Sequence, residues 1–100
     1  LRHLDWFDHQ AEKIKKAREQ LLSSLAGLVK VTVYPSAANF LLFRVADGRG
    51  EAVFSNLKQQ GVLVKSLHGA HPQLADCLRV TVSTSEENQL FIDALQVALQ

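Results

Sequence analysis

Over the first 28 residues the apolar positions Leu4, Phe7, Ala11, Ile14, Leu21, Leu25 and Leu28 recur three or four apart, with only Arg18 breaking the series. That spacing places them on one stripe of an α-helix. It predicts a long amphipathic helix over residues 3–26, with Gly27 as its stop. The opposite face carries Glu12, Lys13, Lys15, Lys16 and Glu19. Glu12 and Lys16 are spaced as a supporting i, i+4 pair, and the charge run reads as a solvated face. A helix with a single apolar stripe must bury it against another layer, so the rest of the chain has to supply one.

Beyond Gly27 the spacing changes. Val31 to Tyr34 is a short β-rich run, halted by Pro35 and Ser36. Asn39 to Val45 is apolar on both faces, as a covered central strand would be. The stretch "ADGRG" is turn chemistry. A short helix follows, with Glu51 in its first turn, Val53, Phe54 and Leu57 on one side, and Gly61 at its end. Val62 to Ser66 reads as a third strand, with Lys65 on the side opposite Val62 and Val64. The polar loop "LHGAHPQLAD" leads to a fourth strand, "CLRVTV". A final helix has Thr84 and Glu87 at capping-box positions, and Leu90, Phe91, Ala94, Leu95 and Ala98 as its buried stripe. The order α-β-β-α-β-β-α, with hairpin-length connections, predicts a two-layer α+β sandwich. Its sheet has about four strands, mainly antiparallel, with helices packed on it.

With 100 residues, 47% of them hydrophobic and 21% charged, the chain is globular and sized for a single domain over residues 1–100. Its net charge of +1, with no basic face interleaved with aromatics, gives no reason to expect nucleic acid or an anionic membrane as partner. No apolar run approaches the roughly 20 residues of a membrane span, and no signal peptide is visible. The lone Cys77 lies in an apolar strand and suits a structural thiol in a reducing, cytoplasmic setting. The chain opens as "LRHLDWFDHQ", already inside a helical pattern without a capping residue, and contains no methionine. It therefore reads as a piece of a longer protein.

Catalytic motifs are absent from the pattern. There is no glycine-rich phosphate loop of standard spacing and no clustered cysteine–histidine signature. His68 and His71 share a loop without a third ligand, and His3 and His9 do not share a helix face closely enough to chelate. Ser23, Ser24, Ser83 and Ser85 have no visible base beside them. What stands out is Arg79, set between Leu78 and Val80 of the fourth strand. A guanidinium is always charged and is not buried without a partner. Arg79 thus reaches solvent at a sheet edge, pairs with a carboxylate of the chain, or awaits an anion. If the third and fourth strands are neighbours, Lys65 and Arg79 could converge on one rim as an anion clamp. The alternative is a pair of edge residues that keep a sheet soluble.

Taken in order, "VYPSAANFLLFRV", "VFSNLKQQGVLVKS" and "CLRVTVSTSEENQLFIDAL" resemble the C-terminal part of the histidinol-phosphate aminotransferase family, over roughly residues 10–99. The resemblance implies the small domain of a fold-type-I enzyme that depends on pyridoxal phosphate, with residues 1–27 leading from a large domain. It implies that Arg79 binds the acidic group of the substrate. Lys65 stands where the family commonly has an arginine, keeping the charge but losing the bidentate fork. Asn39 and Phe40 fall in a family motif to which no binding role is attached here. The Schiff-base lysine and the cofactor-holding residues of the family belong to the large domain, so this chain has no catalytic or cofactor-binding residue of its own.

The implied activity, in histidine biosynthesis, is amino transfer between glutamate and imidazole acetol phosphate by the full-length parent. The isolated piece is expected to be inactive. The implied partners are a phosphorylated or dicarboxylic small molecule, the large domain and a second copy of the parent. Two other readings stand beside this one. One is the small domain of a related enzyme such as a threonine-phosphate decarboxylase. The other is a non-catalytic small-molecule-binding regulatory module, complete in itself.

Overall fold

The computed structural model describes residues 2–34 and 39–100, with side chains of the first helix described from Lys13 onward. The expected strand stop at Pro35 and Ser36 lies outside the described residues, as do the side chains of Leu4, Phe7, Ala11 and Glu12. The elements run α1 (Arg2–Ala26), β1 (Val31–Tyr34), β2 (Phe40–Val45), α2 (Gly50–Gln59), β3 (Lys65–Ser66), β4 (Cys77–Thr81) and α3 (Ser85–Ala98). A 3-10 turn, Pro72–Leu74, interrupts the loop between β3 and β4.

The four strands form one sheet in the order β1-β2-β4-β3, with every neighbouring pair antiparallel. Since β4 runs opposite to both β2 and β3, those two are parallel to each other, and α2 carries the chain across between them. The expected α+β architecture is the one found. Strand alternation divides the sheet into two faces. Val31, Leu41, Phe43, Val45, Leu78 and Val80 share one face and are buried. All three helices pack there: Leu21 and Leu25 of α1, Val53 and Leu57 of α2, and Phe91 and Leu95 of α3 join the same core. Phe43 and Phe91 meet edge to face at the centre, ring centroids 5.8 Å apart.

Three expectations need correction. Leu90 is 66% exposed, and Ile92 takes the buried place. The buried face of α3 carries Asn88, Phe91, Ile92, Ala94, Leu95 and Ala98, while Leu90 stands with exposed Val97 on its flank. Ile14 is also exposed, together with Lys13, Lys15 and Lys16; among the described side chains of α1, burial begins at Ala17. The third strand is shorter than expected, because only Lys65 and Ser66 pair with β4. The physical reason lies at the end of α2. Gly61 takes a left-handed φ of 82°, its N–H donates to Lys58 O at 3.0 Å, and Val62 N–H donates to Leu57 O at 2.9 Å. This Schellman closure engages the backbone of residues 61–62 in ending the helix. Val62 and Val64 still pack on the core, while Leu63 is 93% exposed.

Capping of α3 follows half of the expected box. Thr84 Oγ1 accepts from Glu87 N–H at 3.2 Å. The Glu87 carboxylate does not complete the reciprocal half, and instead accepts from the Ser83 hydroxyl. Buried Asn88 ties the turn together, its Oδ1 accepting from Ser83 N–H at 3.0 Å and its Nδ2 donating to Ser83 O at 3.1 Å.

Candidate anion-binding site

The second face of the sheet carries Thr32, Tyr34, Phe40, Leu42, Arg44, Cys77, Arg79 and Thr81, with Lys65 continuing the row on β3. Among the described residues the helices pack on the opposite face. Two arginines rise from this face, and their surroundings differ.

Arg44 has an acceptor on each of its three nitrogens. Its guanidinium carbon lies 5.6 Å from the Tyr34 ring centroid. Its Nε donates to Ala75 O at 3.2 Å, Nη1 to the Tyr34 hydroxyl at 3.0 Å, and Nη2 to Gln73 O. These bonds hold the β3–β4 loop down on the sheet, where Arg44, Gln73, Leu74 and Cys77 line one open pocket. Cys77 is buried although it points away from the main core. The loop's other anchors are its own side chains. His71 Nδ1 accepts from Gln73 N–H at 3.1 Å and caps the 3-10 turn. His68 Nδ1 accepts from Asp76 N–H at 3.0 Å. Asp76 Oδ1 accepts from Gly50 N–H at 3.0 Å, which caps the start of α2 from a distant loop. The two loop histidines thus have structural partners.

Arg79 is placed differently. β4 is an interior strand, flanked by β2 and β3, so the sheet-edge account of this arginine fails. Among the described residues no carboxylate pairs with it. Its guanidinium carbon stands 5.1 Å from the centroid of the Phe40 ring. Lys65 on β3 is its direct cross-strand partner, so the two strands are neighbours and the two cations share the second face. Like charges directly opposed on a sheet repel. An anion between them would relieve that repulsion, and the arginine fork would give it two parallel hydrogen bonds. Arg44, Arg49 and Asp76 went unread in the sequence. Arg44 had a detectable signal, since it alternates with Phe40 and Leu42 as Arg79 does with Thr81. Asp76 and Arg49 had none, because their partners lie far along the chain.

Among the described residues no group of three or more His, Cys, Asp or Glu side chains could hold a metal ion, and no helix is long and apolar enough to cross a membrane. An open cleft of about 470 Å³ lies where the chain before β3 parts from the end of β4, lined by Val62, Leu63, Val80, Val82, Leu90 and Phe91.

Sheet order and helix layer describe a two-layer α+β domain with two cations paired on one sheet face, and comparison with known proteins specifies the class. A family model described as aminotransferase class I and II matches residues 1–95, and the chain belongs to that family. Over all 100 residues it is 49% identical to histidinol-phosphate aminotransferase 1 of Ralstonia nicotianae, covering 26% of that protein. Over 89 residues it is 51% identical to histidinol-phosphate aminotransferase 2 of Nitrosococcus oceani, covering 25% of it. The chain therefore spans about a quarter of the length of these relatives. Among solved structures, a decarboxylase from Sulfurospirillum multivorans superposes with a TM-score of 0.85 at 26% identity, over 97% of this chain and 28% of that one. The histidinol-phosphate aminotransferase from Clostridium acetobutylicum does so with a TM-score of 0.84 over 95% of this chain and 29% of that one; at 21% identity it bears on the fold alone.

Proposed function

We propose that this chain is the small, substrate-binding domain of a histidinol-phosphate aminotransferase, placed at the C-terminal end of the enzyme with α1 leading from the large domain. The observation that carries the reading is the direct pairing of Lys65 with Arg79 on the second face of the sheet, with no carboxylate on Arg79 among the described residues. Two cations in that arrangement suit a phosphate or carboxylate. The identity of 49% along the whole chain to a relative of that name supports the choice of enzyme.

The division of labour follows from what these residues can and cannot hold. Pyridoxal phosphate needs a cation or a nest of N–H donors for its phosphate and an enclosure for its ring. The apolar cleft beside β4 is open and has the Glu87 carboxylate among its lining residues, so it does not fit such a group. In this reading the cofactor is held by the rest of the enzyme, which is cytoplasmic and dimeric. Within it Arg79 forks onto the anionic group of the amino donor or acceptor, Lys65 adds a mobile positive charge, and the sheet keeps both facing the incoming substrate.

The test is an assay of the full-length enzyme with histidinol phosphate and 2-oxoglutarate. Formation of glutamate, with KM for histidinol phosphate raised by Arg79→Ala, is the expected result. The resemblance to the L-threonine-O-3-phosphate decarboxylase from Porphyromonas gingivalis, at 26% identity and a TM-score of 0.78, favours a second reading, in which the same clamp serves a phosphorylated amino acid that loses carbon dioxide. Carbon dioxide release from O-phosphothreonine without amino transfer would select it.

A further inference from the structure

We infer that Phe40 is a positioning residue for Arg79, its ring seating the guanidinium so that the donor fork stands ready for an anion. The inference rests on the reading of Arg79 as the anion-binding group. Phe40 opens β2 and is registered opposite Thr81, and Arg79 lies two residues back along β4 on the same face. That diagonal is within reach of an aromatic ring and a long side chain. The 5.1 Å between guanidinium carbon and ring centroid lies within the range of a cation–π contact.

The contact matters because of what the ring leaves free. A phenyl ring carries no oxygen or nitrogen acceptor, and the five N–H donors of a guanidinium bond to such acceptors. Seating on Phe40 therefore orients Arg79 without using a donor. Arg44 is the comparison within the same sheet. It too lies over a ring, that of Tyr34, but its Nε, Nη1 and Nη2 all have acceptors, one of them the Tyr34 hydroxyl itself. Phenylalanine offers the ring without an acceptor. Lys65, directly opposite Arg79, repels it. The ring supplies an attraction on the β2 side, in the direction away from Lys65. An arginine held in this way loses less rotamer freedom when the anion arrives, so its affinity is higher than that of the same arginine on an aliphatic neighbour.

The test is steady-state kinetics of the full-length enzyme in a double-mutant cycle, with melting curves on each variant. Phe40→Leu, which keeps volume and loses the ring, should raise KM for the anionic substrate about three- to tenfold, the range of a cation–π contact. It should change kcat less than about twofold, and Phe40→Tyr should restore KM to within about twofold of the parent. On an Arg79→Ala background Phe40→Leu should have no further effect on KM. If Arg79→Ala raises KM but Phe40→Leu does not, or if Phe40→Leu costs the same on both backgrounds, the positioning role is overturned and the anion site stands. If Arg79→Ala leaves KM unchanged, the anion site itself is wrong and the positioning role goes with it.

Discussion

Arg44, Arg49 and Arg79 carry the same five donors and put them to different ends. Arg49 donates to Leu99 O at 2.9 Å and to Ala98 O at 3.3 Å, neutralising the carbonyl end of α3. Arg44 holds the β3–β4 loop, and Arg79, set over the Phe40 ring, is the group proposed above to bind an anion. Charge-assisted bonds contribute about 1.5–3 kcal/mol each, so losing the fork should matter. In the full-length enzyme Arg79→Lys is expected to lower kcat/KM roughly ten- to a hundredfold, Arg79→Ala further, and Lys65→Ala less than either. The melting temperature should hardly move. A large stability loss with unchanged kcat/KM would return Arg79 to a purely structural role. For Arg44→Ala the expectation is reversed. The loop over Cys77 should loosen, and that buried thiol should react faster with a disulfide reagent while Tm falls. Arg79 and Lys65 were both legible in the sequence, because alternation alone sets a charge against an apolar strand face. Arg44 sat in an equally visible alternation, yet two of its partners are 29 and 31 residues away, at Gln73 and Ala75. No local pattern reveals whether a strand arginine is occupied or free.

Among the elements, α2 depends most on a contact made elsewhere. A Cβ on Gly50 would fall 2.4 Å from the Cα of Asp76, and the Gly50 N–H bonds to the Asp76 carboxylate. Alanine is ordinarily worth about 1 kcal/mol more than glycine inside a helix. Here the clash should outweigh that gain, and Gly50→Ala is expected to destabilise by about 1–3 kcal/mol, measurable by urea unfolding. In α3, Leu95→Ala should cost about 2–5 kcal/mol and Leu90→Gln less than about 0.5 kcal/mol. A large loss at Leu90 would mean that its exposed flank is covered in solution. The helices and three of the strands were readable from period and punctuation. The third strand and the flank of α3 were misread for specific reasons. Val62 to Val64 have the composition of a strand, but the Schellman closure at Gly61 takes the chain out of the ladder there. Leu90 is as apolar as Leu95, and the choice between them depends on how α3 is rotated against the sheet, which composition does not encode.

At the scale of the molecule, the helices cover one face of the sheet and leave the other to a loop and to the two cations. The order β1-β2-β4-β3 also has a consequence for how the chain comes off the ribosome. β4, Cys77–Thr81, is the last of the four strands to be synthesised and is the one that fills the slot between β2 and β3. Until it emerges, β2 has a bare edge, β3 has no partner in the sheet, and the buried Leu78 and Val80 are missing from the core. A nascent chain ending at Asp76 should therefore be a protease-sensitive hairpin with helices attached, without a cooperative unfolding transition. Extending it through α3 should restore the transition in one step. Gradual protection, gained as each element is added, would show instead that the first half folds unaided. The strand that presents Arg79 is also the one whose arrival closes the sheet, so an abandoned translation product should have neither a stable domain nor an anion site.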